Sequence, residues 1–246
     1  MQTEHSLFFS RAIQDDYAIL QADDAFHAHS VLRLGCGENI QFTDGEGTIF
    51  SGTIRSTNRD QVLVQIIQKQ LQRSPSPPIE LFVGIPEKNA FEQLIDLVVP
   101  LGVHSITPVV CTFCQKPWWK TRWEKIRERL EKKMIVGIKQ SQSAFLPTLN
   151  EPKVFENALK SAPPAYKHVV ATPSGRPFSE LHLGAAAGII CWVGPPGGFS
   201  DTELSCLSGD LFQMVWLSPN RLRTELASAV VVATTIQCSR SPGAEK

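Results

Sequence analysis

The chain has 246 residues, 42% hydrophobic and 20% charged, a balance that supports a packed core and excludes disorder, collagen-like repeats and coiled coil as overall descriptions. Lys plus Arg and Asp plus Glu both number 24, so the chain is neutral and lacks a strongly basic whole-chain signature. No apolar run approaches the roughly 18 residues of a membrane span, and the start MQTEHSLFFS lacks the basic-then-apolar pattern of a secretory signal, so the expected compartment is the cytoplasm, with no membrane partner. The six cysteines are too sparse for a disulfide scaffold and read as reduced thiols. Charge is uneven: residues 1–74 carry 6 basic and 9 acidic side chains, whereas residues 116–139 carry 9 and 3, leaving a local basic face.

In chain order, strands are expected at Tyr17–Leu20, Asn39–Thr43, Thr48–Arg55 and Val62–Lys69, with Asp44-Gly45 as a turn between two of them. A helix over Asp23–Leu34, capped by Asp23 or Asp24 and stopped by Gly35, interrupts this small β-barrel-like domain of residues 1–73. Ser74-Pro75-Ser76-Pro77-Pro78 reads as a stiff interdomain linker over residues 74–78. From residue 79 to 246 strands alternate with helices, the pattern of an α/β domain with a mainly parallel sheet. Its strands fall at Ile79–Ile85, Ser105–Val110, His168–Ala171, Gly188–Val193 and Phe212–Leu217, and its helices near Ala90–Val99, Trp118–Lys139, Val154–Leu159, Ser200–Ser208 and Thr224–Gln237.

The helix at 118–139 places Trp119, Trp123, Ile126, Leu130, Met134 and Ile138 on one face, and Lys120, Arg122 and Lys125 largely elsewhere. Those cations suit either a solvated surface or a phosphate backbone. Cys111-Thr112-Phe113-Cys114 has the spacing of zinc and thiol-redox sites, but without a second pair or a following histidine free thiols are the simpler reading. The sequence has no Walker lysine loop, no G-x-G-x-x-G and no G-x-S-x-G elbow, which removes the common NTPase, dinucleotide and α/β-hydrolase readings. Two segments stand out. A buried strand runs into Gly194-Pro195-Pro196-Gly197-Gly198, followed by Ser200 and Glu203 at capping-box spacing; this is a tight turn or a ligand-binding loop. Leu217 to Ala229 again leads from a strand through a polar loop into a helix, with Arg223 and Glu225 as the charged groups placed for chemistry or for a surface ion pair.

Gly194-Pro195-Pro196-Gly197-Gly198-Phe199-Ser200 with Glu203 resembles the GPEGGFS-x-x-E loop of the RsmE family, and Leu217–Ala229 resembles its LG-x-RILRTETA segment. His27-Ala28-His29-Ser30-Val31-Leu32-Arg33 with Gly37 and Asp44-Gly45 resembles its H-x-x-x-VLR…G…DG signature, and Leu101-Gly102-Val103 with Ile106-Thr107-Pro108 its ELGV-x-x-I-x-P. The resemblance implies a PUA-like N-terminal barrel, a SPOUT α/β domain with a trefoil knot, a homodimer, and methylation of uridine N3 in 16S ribosomal RNA of the small subunit from S-adenosylmethionine. It implies a cofactor site at Ala171, Thr172, Pro173, Val193, Gly194, Pro195, Gly197, Gly198, Leu217, Ser218, Asn220 and Leu222. Arg223 and Glu225 become the catalytic candidates, and Arg33, Lys120, Arg122 and Lys125 the RNA contacts. No metal is implied, because the sulfonium is already an activated leaving group. The chain departs from the family pattern at Leu7, Pro100, Phe113, where the family has an arginine, Lys139, where the family's EQSGR segment begins with an acid, Ser143, Pro196 and Asn220. A non-catalytic RNA-binding relative, or a methyltransferase for another nucleotide, are the alternatives.

Overall fold

The computed structural model describes residues 6–115 and 117–239. It divides into two compact units, one comprising the residues up to Ser74 together with Ile135–Leu146, the other Pro75–Met134 and the residues from Pro147 onward.

The first unit is built on a six-stranded sheet of β1 (Leu7–Phe9), β2 (Ala12–Gln14), β3 (Tyr17–Gln21), β4 (Asn39–Thr43), β5 (Thr48–Thr57) and β6 (Gln61–Leu71), in the order β1-β4-β5-β6-β3-β2. Only β1 and β4 run parallel. Alternation in β6 turns Val62, Val64 and Ile66 inward, as the two-residue side-chain period requires. Phe42 and Phe50 stack with ring centroids 4.9 Å apart in this core. Two breaks in register bend β5 along its partner, and the Asp44 Oδ1 accepts the amides of Glu46 and Thr48 to close the expected turn.

The helix expected over Asp23–Leu34 is shorter and of mixed type: α1 spans Ala22–Phe26 and continues as a π-turn over His27–Val31. Asp23 and Asp24 lie inside its first turn and cap nothing, and the left-handed residue that ends it is Arg33, at φ 56°, two positions before Gly35. Asp24 instead faces Lys139 at 2.9 Å, with both side chains largely buried. Burial pushes the Asp24 carboxyl above its usual range and Lys139 pulls it part of the way back. Ala144 and Leu146 extend the same unit through backbone bonds with Gly47 and Gly45.

The second unit carries a wholly parallel sheet, β7 (Ile79–Gly84), β8 (Ser105–Val110), β9 (Thr148–Leu149), β10 (Lys153–Val154), β11 (Lys167–Pro177), β12 (Ile189–Val193) and β13 (Phe212–Trp216). The order is β10-β8-β7-β12-β11-β13, with β9 also on β8. Every residue of β12 is buried, as expected for a strand covered on both faces. Helices α2 (Lys88–Val98), α3 (Trp123–Gln140, of which Ile135–Gln140 counts with the first unit), α4 (Phe155–Ser161), α5 (Asp201–Cys206) and α6 (Thr224–Ser239) connect or follow the strands. β11 is longer than expected because it re-pairs with β13 at Arg176 and Pro177 beyond a bulge. Helix α3 begins five residues later than the apolar spacing suggests: Arg122 sits at φ 64°, outside the helical region, so Trp119 is buried from a turn and not from the helix face. Leu130 and Met134 keep the predicted inward face, while Arg129 and Lys133 pair with Glu92 and Asp96 of α2. Among the described residues no helix is long and apolar enough to cross a membrane.

On one face of this sheet Phe82, Phe155, Ala158, Trp192 and Leu207 form a core cluster. Beside it His168 is buried, stacks on Phe212 at 4.2 Å, and accepts the Trp192 indole N–H at Nδ1 over 2.9 Å. Burial lowers its pKa from 6.5 to about 4, so the folded chain holds it neutral while the unfolded chain protonates it first. Stability is therefore full above pH 6.5 and is lost as pH falls towards 4, by up to about 3 kcal/mol for this group. Nuclear magnetic resonance titration of the ring checks this: a His168 that protonates above pH 6 refutes the packing.

Candidate functional site

All strands of the second sheet point the same way, so their carboxyl ends and the loops that follow lie along one edge. From β7 the chain moves outward to β8 on one side, while β12 occupies the other, which makes the β7–β12 boundary a topological switch point. The register sets three of the expected stretches level: Ala171 lies opposite Val193 on one side and Val215 on the other. Val193–Gly198 and Leu217–Leu222 therefore leave their strands at the edge where Ala171–Pro173 lies, at the bulge of the intervening β11.

The β12 loop is held from several directions. Gly84 at the end of β7 passes so close to it that a Cβ there would lie 2.3 Å from Pro195. Gly198 donates its amide to the Pro195 carbonyl at 2.7 Å and takes φ 81°, a left-handed conformation that glycine adopts without steric cost. The space its missing side chain would take is open. Ser200 then caps α5 in the predicted capping box, and the Glu203 carboxylate returns a bond to the Ser200 amide. Its other oxygen accepts the Thr112 amide at 2.8 Å and the Thr112 hydroxyl at 3.2 Å, tying the loop after β8 to the loop after β12.

The β13 loop is tied to the same place. The Ser218 hydroxyl accepts the Asn220 amide, the Arg221 guanidinium donates to the Pro196 carbonyl, and the Thr224 hydroxyl donates to the Gly194 carbonyl at 3.2 Å. Arg223 is 84% exposed, and its guanidinium lies 3.7 Å from the Glu225 carboxylate, which is 9% exposed in the first turn of α6. A buried acid with an exposed cation differs from an ordinary surface pair, since only the arginine is free to meet a ligand. Thr172 is buried with its hydroxyl 3.2 Å from that of Ser174, whereas Pro173 is exposed.

The expected RNA contacts fall in both units. Arg33 is exposed in the first; Lys120 and Arg122, in the turn before α3, and Lys125, in its first turn, are exposed in the second. Cys111 and Cys114 share a turn in which their mutual hydrogen bond lowers the Cys114 thiol and raises that of Cys111. Among the described residues no three His, Cys, Asp or Glu side chains converge as a metal group would need. Sequence reasoning passed over Arg221, Thr224 and Glu203 as site residues. The first two stood in the motif around Arg223, but nothing local indicated that their partners are carbonyls 25 and 30 residues away.

Residues 72–236 match the family described as RNA methyltransferase domain, and residues 20–67 the RNA methyltransferase PUA domain. The ribosomal RNA small subunit methyltransferase E of Mycobacterium bovis is 25% identical over 92% of this chain and 89% of its own length. That of Aquifex aeolicus is 24% identical over 92% and 97%. The Neisseria gonorrhoeae ribosomal RNA small subunit methyltransferase E bound to S-adenosyl methionine superposes with a TM-score of 0.83 at 22% identity, covering 95% of this chain and 97% of that one. A Legionella pneumophila protein in complex with the cofactor SAM gives 0.83 at 24%, covering 96% and 98%. With two thirds of its length matched to one family model, and the site motifs inside that stretch, the chain belongs to the RNA methyltransferase domain family.

Proposed function

We propose that this chain transfers a methyl group from S-adenosylmethionine to N3 of a uridine in the RNA of the small ribosomal subunit. The observation that carries the reading is the convergence of the 171–173, 194–198 and 217–222 stretches at one sheet edge, locked by the Arg221 and Thr224 bonds to Pro196 and Gly194. The names of the curated relatives support the substrate, and the full-length likeness to cofactor-bound structures supports the methyl donor. The residues fit such a cofactor: the loops offer backbone amides and carbonyls, and at Gly198 they leave open the volume a side chain would fill.

When bound, the sulfonium supplies an activated methyl group, so the protein's own task is to orient the base and manage charge. Uracil N3 must lose its proton, taken by solvent water, for its lone pair to form the N–CH3 bond as the S–CH3 bond of the donor breaks and leaves neutral S-adenosylhomocysteine, and the negative charge that develops spreads to O2 and O4. Arg223, largely exposed and anchored at the start of α6, is the cation for those oxygens. Glu225 orients it from the buried side of the same turn. The first unit serves as a PUA-like RNA-docking domain with Arg33, joined through 74–78 to a catalytic SPOUT domain from residue 79, and Lys120, Arg122 and Lys125 add phosphate contacts. The knot and the homodimer belong to the same reading. On α6, Leu226 is 46% exposed, and Val230, Ala233 and Ile236 are incompletely covered within one chain. A second copy would cover that stripe, with about 1,200–2,000 Å² expected for a stable pair.

Calorimetry with S-adenosylmethionine should give one site per chain, and Gly198→Val should abolish it, through about 1–3 kcal/mol of backbone strain and loss of the open space; undetectable wild-type binding at millimolar ligand refutes the reading. Tritium transfer from labelled cofactor to isolated, unmodified small subunits should yield N3-methyluridine. Arg223→Ala should remove turnover with little change in RNA affinity, and full activity in that variant removes Arg223 from the mechanism. An inert wild type that still binds RNA would favour the non-catalytic alternative. Light scattering at micromolar concentration should report a dimer mass.

A further inference from the structure

We propose that Phe113 is a stacking platform for a nucleobase of the RNA substrate, placed on the second unit beside the candidate methyl-donor loop; the proposal rests on the RNA methyltransferase reading above. Phe113 is 50% exposed, and it stands in the turn after β8, at the carboxyl edge of the sheet. The turn is stiff. Thr112 is fixed through both its amide and its hydroxyl to Glu203, the Cys114 amide donates to the Cys111 carbonyl at 3.1 Å, and the Cys111 amide meets the Cys114 sulfur at 3.2 Å. The root of the side chain is pressed against the neighbouring loop, because a Cβ built on Gly197 would lie 2.6 Å from the Phe113 Cβ. The side chain is thus seated at its base, on a loop without freedom to draw it into the core, and half its surface stays in water.

Charge that the β13 loop brings to the β12 loop favours a nucleotide as the occupant. Phe113 packs on Gly197, and the exposed Arg221 donates to the carbonyl of the adjacent Pro196. A flat apolar ring and a guanidinium therefore flank one dipeptide, which suits a base on the ring and a phosphate beside the cation. Arg223 lies two residues from Arg221 and is open to solvent. The resemblance places an arginine at this position, so a ring here also marks where this chain's grip on RNA differs from the family pattern.

The test is steady-state methyl transfer to isolated small ribosomal subunits with Phe113→Ala, Phe113→Leu and Phe113→Tyr, alongside calorimetric S-adenosylmethionine binding for each. Loss of one stacked base should raise the KM for subunits roughly 5- to 150-fold in Phe113→Ala. Phe113→Leu, apolar but unable to stack, should behave like the alanine variant, and Phe113→Tyr should restore KM to within about threefold of wild type, as the stacking face is kept. Cofactor affinity should stay within about twofold throughout. An unchanged KM in Phe113→Ala overturns the platform, as does recovery by leucine, which would make the role simple packing. A parallel loss of cofactor affinity overturns it too, by assigning the ring to the methyl donor. A wild type that binds cofactor yet methylates no subunit defeats the substrate reading and the platform with it, whereas an active wild type with an indifferent Phe113→Ala defeats the platform alone.

Discussion

Glu203 is 6% exposed, and a carboxylate taken that far out of water is tolerable only if its oxygens are satisfied. Here they accept from the amide and hydroxyl of Ser200 on one side and from the amide and hydroxyl of Thr112 on the other. The acid also sits in the first turn of α5, where the helix dipole favours a negative charge. One side chain thus both starts a helix and joins loops 91 residues apart. If it is removed, buried donors are left unpaired and the relation between the β8 and β12 loops is no longer fixed. The position of Phe113 against Gly197 depends on that relation, and the placement of Pro196 under Arg221 continues from it.

Helix α6 shows the same use of small polar groups in place of bulk. Its buried positions are Thr224, Glu225, Ser228, Val231, Val232 and Thr235, while Leu226 faces outward. Threonine and serine are narrow enough to let the helix approach β7 and β12, and each hydroxyl finds a partner: Thr224 on Gly194, Ser228 on the Thr224 carbonyl, Thr235 near the Cys191 sulfur. Burial pushes the Cys191 thiol up to about 12, so that sulfur is a packing element with no thiolate at neutral pH. On the inward face Val231 and Val232 add apolar packing between these hydroxyls, while Leu226 is left on the outer side.

What could be read in advance was what local spacing encodes. Five of the seven strands of the parallel sheet, the Ser200–Glu203 capping box and the Asp44 turn arise from residues within a few positions of each other and are found near their expected places, although β11 runs on past its expected end, whereas the two-residue strands β9 and β10 are too short to carry a local signal. The failures are of two kinds. Backbone exceptions at Arg122 and Arg33 displace the start of α3 and the end of α1, and neither residue type advertises a positive φ. Long-range pairs were invisible: Lys139 meets Asp24 across 115 positions, and residues 135–146, the end of α3 and the segment after it, belong to the first compact unit. The order of the strands, which places Ala171 level with both Val193 and Val215, is likewise a property of the assembled sheet.

The departures from the family pattern can be sorted by whether a position acts through its backbone or its side chain. Pro196 replaces an acid, yet the structure uses its carbonyl, which proline retains, to receive Arg221. Asn220 replaces an arginine, and its amide, common to both residues, bonds Ser218. Such changes leave the loop geometry in place. Lys139 and Phe113 are different, because each brings a new side-chain chemistry. Lys139 is answered within its own unit by Asp24, so a cation in place of an acid is neutralised where it sits. Phe113 is held through the backbone of its turn, Gly197 lies against its Cβ and one edge of its ring, and half of the side chain stays exposed. Phe113 is thus a new side chain that the fold fixes at its base and leaves half exposed, and its place at the carboxyl edge of a parallel sheet is where such a group meets a ligand.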